Sequence, residues 1–413
     1  MALDANVLTN LVPKILARSL LVLRARCIMP RLVNSDYSTD AARKGATIDV
    51  PIPVEVATMN VVPSCTQAEC DDSGLEPGLV SIKLDNWKQN KPIHLTDKDM
   101  AEIDMNETYL PMQLEEAIKG LARDVNMDIM QEYLGVYGFQ GTAGTTPFGT
   151  GVGVSDATGA RKILNKQHCP PTDRRGVLDF DAEANALDLS AFSDADKIMS
   201  ATVKLEGEIG RKYGIDWVAD DDVPYHTAGT LETGGQVTVT AVKAASTIAL
   251  TGAAGNSGET LLVGDILKFG AAGIDDQTYV VMPGSEGVSG YAALTGTNGG
   301  YTMDAEGDNL TAVVVAPAIK VAHTGAALEL KASHRVNLVF HRDAFAFATR
   351  SLDDANTLAK VLGGSQILSM QDAKTGLVLR LEISRRNKLT VWEFDILWGA
   401  KLVRPELACR LVG

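Results

Sequence analysis

The densest cluster of side chains able to hold a metal or move a proton is Asp220, Asp221 and Asp222, with His226 close behind. Carboxylates and imidazoles are ordinary ligands for divalent cations. Consecutive residues of a strand point to opposite faces, so three such carboxylates on a strand cannot converge on one ion. The run is expected to be a solvated acidic edge or an intersubunit charge patch. Asp304, Glu306 and Asp308 in MDAEGDN alternate like the start of a calcium loop. Gly307 is out of register for one, and no Glu follows where the loop needs it. His168 stands beside Cys169, but two prolines follow at once and adjacency in sequence does not make a dyad. Arg385, Arg386 and Lys388 form a small basic turn. It reads as a solvated hairpin tip, or as a contact to an acidic neighbour or to DNA.

Signatures of catalysis are missing from the sequence. It has no GxxxxGK[ST] phosphate loop, no GxSxG elbow and no HExxH helix. GTGVGVSDATG is glycine-rich, but its glycines miss the dinucleotide spacing, and it reads as a flexible loop. Cys27, Cys65, Cys70, Cys169 and Cys409 are an odd number at irregular spacing, which predicts free thiols in a reducing compartment. Cys65 and Cys70 are too far apart for a zinc knuckle. No residue is assigned a catalytic, cofactor-binding or metal-ligating role.

A chain of 413 residues exceeds one simple core and predicts two or three domains. Only 5% of the residues are aromatic, so cores must be built mainly from aliphatic side chains and alanine. The net charge of -14 disfavours a broad phosphate-gripping surface, because such a grip needs Lys and Arg to release counterions. An acidic wall can still contain DNA without sticking to it. The opening MALDANVLTNLVPKILARSL lacks the basic start and long apolar run of a secretory signal. No stretch approaches the roughly 20 apolar residues of a membrane span.

Several elements stand out along the chain. Leu8, Val12, Ile15 or Leu16, Leu20 and Leu23 recur at helical spacing, with Pro13 marking a kink or a start. From Ala46 to Leu95 two alternating runs flank a polar tip, which predicts a long β-hairpin poor in apolar partners of its own. Leu114, Ile118, Leu121, Val125 and Ile129 line one face of a helix predicted from Thr108 to Val136. A short helix is expected around Arg161 to Gln167, and another from Ser193, where Asp196 completes a capping spacing. A turn at Gly214 precedes a strand. From Gly229 onward QVTVTAV, STIALTG, GDILKFG, QTYVVMPG and TAVVVAPAI predict an all-β domain, a small barrel or sandwich. GLVLRLEISRR and KLTVWEFDILWGAKLV read as strands with a turn near Asn387.

The strings IGRKYGIDWVADDDVPYH, LLVGDILKFG, VNLVFHRDAFAFATRSL and DILWGAKLVRPELACRLVG resemble the coat proteins of short-tailed bacteriophages that carry an inserted β domain. The resemblance implies an α+β, tailed-phage capsid fold. Its parts would be an N-terminal arm (1-45), an E-loop hairpin (46-100), a spine helix with the first part of the peripheral and axial domains (101-228), the insertion (229-332) and the rest of the axial and peripheral domains (333-413). It further implies an icosahedral shell of hexamers and pentamers, a scaffolding protein, a portal, and packaged double-stranded DNA bound without sequence specificity. The place would be the virion capsid, assembled in the host cytoplasm, with no membrane and no cofactor. Subunit-contact candidates on the arm, hairpin and charged turns are Ile15, Leu20, Ile82, Leu84, Trp87, Asp220, Asp221, Asp222, Arg385 and Arg386.

Two other readings compete with a capsid subunit. In one, the insertion is a binding module of a virion or surface-layer protein, which would need exposed aromatics among Phe269, Tyr279, Tyr291 and Tyr301. In the other, the region Asp220–Asp222 belongs to a metal-dependent enzyme.

Overall fold

A computed structural model describes residues 6–36, 47–53, 77–98, 112–149, 151–193, 209–231, 237–252, 258–269, 275–285, 291–292, 299–303, 309–350, 352, 365–372 and 375–413. The chain divides into two compact units. One comprises Met1–Leu20, Ser35–Ile118 and Ala346–Arg404, the other Leu21–Asn34, Lys119–Phe345 and Pro405–Gly413.

The first unit is built on one sheet. Its strands run in the order Phe345–Thr349, Leu389–Leu402, Val378–Arg386 and Ser365–Gln371, with Asn86–Gln89 and Ile93–Thr96 also pairing with Leu389–Leu402. Alternation sends Trp392, Phe394, Ile396 and Trp398 inward together with Leu379, Leu381 and Ile383. Asn387 and Lys388, both at positive φ, close the predicted hairpin between Arg386 and Leu389. That geometry suits the right-handed twist of the flanking strands. The strands Thr47–Ile52 and Gly78–Lys83 pair antiparallel, as their alternation predicts. The base of this hairpin is not short of apolar partners. Ile48, Val50, Ile82 and Leu84 pack on Ala346, Ala348 and Val403, residues nearly three hundred positions away that no local pattern could supply. Gly399 permits this contact, since a Cβ there would lie 2.1 Å from the Lys83 carbonyl oxygen.

The second unit holds a mixed sheet in the order Gly138–Gly141, Ala408–Val412, His334–His341, Arg174–Leu178, Ile215–Ala219 and Gly210–Lys212. Tyr225–His226 pairs with one end of His334–His341. Gly176 is required under the Trp217 ring, because a Cβ would sit 2.4 Å from it. The helix Ser155–Lys166 starts earlier than the sequence suggests, taking in the SDATG half of the glycine-rich stretch. The β-rich segment forms a closed barrel of Thr238–Ala241, Thr247–Thr251, Asn309–Ala316, Tyr279–Val281, Ile266–Phe269 and His323–Leu330. Its interior is mainly aliphatic, with Val239, Leu250, Leu267, Val281 and Val313 among the buried residues, joined by Phe269, Tyr279 and Tyr301.

α1 (Asn6–Arg26) continues through Pro13 rather than starting there, and Ile15, Leu16, Leu20 and Leu23 are buried. α2 (Met29–Leu32) follows at once. α3 (Met112–Gln131) buries all five predicted stripe residues and tightens into a 3-10 turn, Glu132–Gly135. Its expected start, the helix body after Ser193, the tip of the hairpin and the MDAEGDN acids lie outside the described residues.

Candidate functional site

The acidic run Asp220–Asp222 lies beyond the strand end at Ala219, in a turn, so alternation along a strand does not govern it. The Asp220 backbone N–H donates to Leu178 O at 2.9 Å, and the Asp222 N–H donates to Asp220 Oδ1 at 3.1 Å. Asp220 Oδ2 accepts from Asn126 Nδ2 of α3 at 3.2 Å. The same carboxamide works on the chain between α1 and α2: Nδ2 donates to Arg26 O at 3.2 Å, and Oδ1 accepts from Ile28 N at 3.1 Å and Met29 N at 3.2 Å. Asp222 meets Arg123 Nε at 2.9 Å. Burial, reinforced by the Asp222 and Asp221 charges, pushes the Asp220 carboxyl up to about 6. A cleft of ≈ 280 Å³ opens here, lined by Arg26, Lys119, Arg123, Phe180 and the three acids. Its chemistry is that of a clasp, in which hydrogen bonds fasten the helix junction to α3.

His226 does not join those acids. Both its ring nitrogens are engaged elsewhere, Nδ1 with Tyr133 Oη at 3.1 Å and Nε2 with Asp265 Oδ1 at 2.9 Å. Among the described residues no group of three His, Cys, Asp or Glu side chains is placed to hold a metal ion.

The remaining contact candidates fall into two sets. Ile15, Leu20, Ile82 and Leu84 are buried within the single chain, so their apolar faces are covered before any neighbour arrives. Trp87 is 57% exposed, with the Arg380 guanidinium 5.9 Å from its ring centroid, and Leu79 on the hairpin is 67% exposed. Arg380 in turn pairs with Asp395 at 2.9 and 2.7 Å. Arg385 reaches across to Asp97 with a forked contact at 3.0 and 2.8 Å, so it has an acidic partner within the chain. The Arg386 side chain lies outside the described residues.

Two polar clusters escaped sequence reasoning. Tyr133, His226 and Asp265 form a chain of hydrogen bonds that resembles a nucleophile–base–acid relay, yet all three are buried. Burial holds the Tyr133 hydroxyl above the usual phenol range, so it stays protonated. Arg410, fully buried, lies 4.9 Å from the Tyr133 ring centroid and donates to the carbonyls of Gly264, Tyr133 and Leu134 at 2.8, 3.0 and 3.3 Å. It thereby satisfies acceptors at the C-terminal end of α3 and its 3-10 extension. In the barrel, Asp275 Oδ2 accepts from Tyr279 Oη at 2.8 Å and meets His323 Nε2 at 3.1 Å. Apart from Asp275 and Tyr279, which are four residues apart, these partners are tens to hundreds of residues apart, and no spacing announces them.

No family profile and no curated protein matches the sequence. Solved structures with a similar course include one from Mycobacterium phage Che8, 12% identical, covering 93% of this chain and 90% of that one at a TM-score of 0.46. The capsid of Cyanophage P-SCSP1u is 12% identical, with 89% and 83% covered at 0.44. The virus-like particle of Pyrococcus furiosus is 7% identical, with 96% and 97% covered at 0.41.

Proposed function

We propose that this chain is a structural shell subunit, a tailed-phage major capsid protein with an inserted β-barrel and no catalytic role. The observation that carries this reading is where the chemistry sits. The Tyr133–His226–Asp265 and Asp275–His323 groups are sealed inside, while large apolar side chains such as Leu79 and Trp87 stand in solvent on the hairpin and the next strand. An enzyme needs reactive groups that substrate can reach. A shell subunit needs extended elements with faces left for neighbours. The strings quoted from the sequence, and the order of helix, hairpin, long helix, sheet and inserted barrel, support the same assignment.

The binding-module reading loses its main support. Phe269, Tyr279 and Tyr301 are in the barrel core and Tyr291 packs against it, so none of the four offers an open stacking face. In the capsid reading, copies form hexamers and pentamers of an icosahedral shell, with scaffolding protein and portal as partners and double-stranded DNA inside. Hairpin, arm and acidic corner are the contact elements. No helix among the described residues is long and apolar enough to cross a membrane. Electron microscopy of the purified chain, alone and with the candidate scaffolding protein, tests the proposal. Uniform closed particles or five- and six-membered rings support it. A monodisperse monomer under every condition overturns it. Because Ile15, Leu16, Leu20 and Leu23 of α1 are buried, removal of residues 2–26 should destabilise the chain itself as well as prevent shell closure.

A further inference from the structure

The barrel is inserted through two chain crossings, and each carries a histidine. His226 ends the strand before the barrel, and His334 begins the strand after it. They are register partners with ring centroids 5.4 Å apart, and both are buried.

The two rings differ in how they can take up a proton. His226 already faces the Asp265 carboxylate. His334 Nδ1 lies 2.7 Å from Ala332 O, and a carbonyl can only accept, so Nδ1 carries the hydrogen. Nε2 is therefore a bare acceptor, and it has no hydrogen-bond partner. Arg410 and His226 act on this ring electrostatically, and the edge contact of Phe139, 5.5 Å between centroids, closes another side. Behind His226 stand Tyr133 and Asp265, and Lys331 lies 5.6 Å from the Phe139 ring centroid. The Asp265 carboxylate behind His226 is already committed: it accepts from His226 and from the backbone N–H groups of Gly229 and Leu262. Among the described residues no group is placed to receive a hydrogen from His334 Nε2.

We propose that His334 is an acid-responsive release for the inserted barrel: a proton on Nε2 opens the neck while the barrel itself stays folded. The added charge would be buried beside the Arg410 guanidinium without an acceptor, which the folded neck disfavours and a hydrated, open neck does not. Burial, with Arg410 and His226 adding to it, already pushes the His334 imidazole down to about 4. The group is neutral in both states above its ordinary value near 6.5. Stability at the neck is therefore complete there and is lost as pH falls towards 4. The barrel's own histidine has a carboxylate partner, with His323 Nε2 3.1 Å from Asp275 Oδ2. This inference does not depend on the shell reading, since it concerns the single chain.

Hydrogen exchange of the full chain at pH 7 and pH 5, corrected for intrinsic rates, tests it. The Gly229 and Leu262 amides should lose protection on the order of twenty-fold, the ratio that linkage gives for these two proton affinities. Val239 and Leu250 in the barrel core should not change. His334→Phe should abolish the acid response, and His334→Gln serves the same purpose if the first variant fails to fold. Unchanged protection at pH 5, an equal acid response in the variant, or simultaneous loss of the barrel-core amides would each overturn the proposal.

Discussion

The carboxamide of Asn126 sits 3.2 Å from the carboxylate of Asp220 and at the same time holds the backbone of Ile28 and Met29. One side chain on α3 thus fixes where α1 ends. The sequence places these residues nearly a hundred positions apart, and the clasp exists only once the fold is made.

Asn126→Ala should leave the Ile28 and Met29 N–H groups without their acceptor. An unsatisfied buried donor costs about 1–3 kcal/mol. The expected result is a lower urea midpoint and faster tryptic cleavage at Arg26. Unchanged cleavage would show that the clasp does not hold the junction.

The acidic corner also predicts a pH dependence. Asp220 titrates near 6 in the fold, above its ordinary 3.8, so its proton binds the folded state more tightly. Its contribution is full below 3.8 and is lost as pH rises through about 6. Asp220→Asn should flatten that part of the stability profile between about pH 4 and 6, read by urea titration at each pH. The His334 contribution has the opposite slope, and the two variants separate them.

Arg380 and Asp395 form a pair with both side chains 9% exposed. Removing one partner of a buried pair strands the other charge, at a cost of about 3–5 kcal/mol. Arg380→Ala should lower the melting temperature sharply, whereas Arg380→Met with Asp395→Leu should recover most of the loss. Equal melting of the single and double variants would show that lost packing, not the stranded carboxylate, matters.

Leu79 is 67% exposed on the hairpin, opposite Pro51. Leu79→Ser should change chain stability by no more than about 0.5 kcal/mol. Particle yield by sedimentation should nevertheless fall. Normal yield would remove the hairpin's outer face from the list of contacts.

Local pattern made much of this fold legible. Alternation gave the pairing partners Thr47–Ile52 and Gly78–Lys83, helical spacing gave the buried stripe of α3, and turn-punctuated apolar runs marked five of the six barrel strands. The sixth, His323–Leu330, is the sequence HTGAALEL, which buries only His323 and Leu328 and so carries almost no apolar signal. Partners were harder to read than elements. Ile82 and Leu84 looked free for a neighbour because the residues that cover them, Ala346, Ala348 and Val403, enter the chain far downstream. His226 looked like a companion of Asp220 because it is near in sequence, yet its carboxylate is Asp265.

The ring of six strands at 238–330 has a consequence for crowding. Each strand hydrogen-bonds on both sides, so the ring presents no free edge for a second chain to extend. In the proposed shell, many copies of this chain would share a small volume while they are being made. A ring without an edge for strand addition can be kept close to its twins without templating their aggregation through that ring.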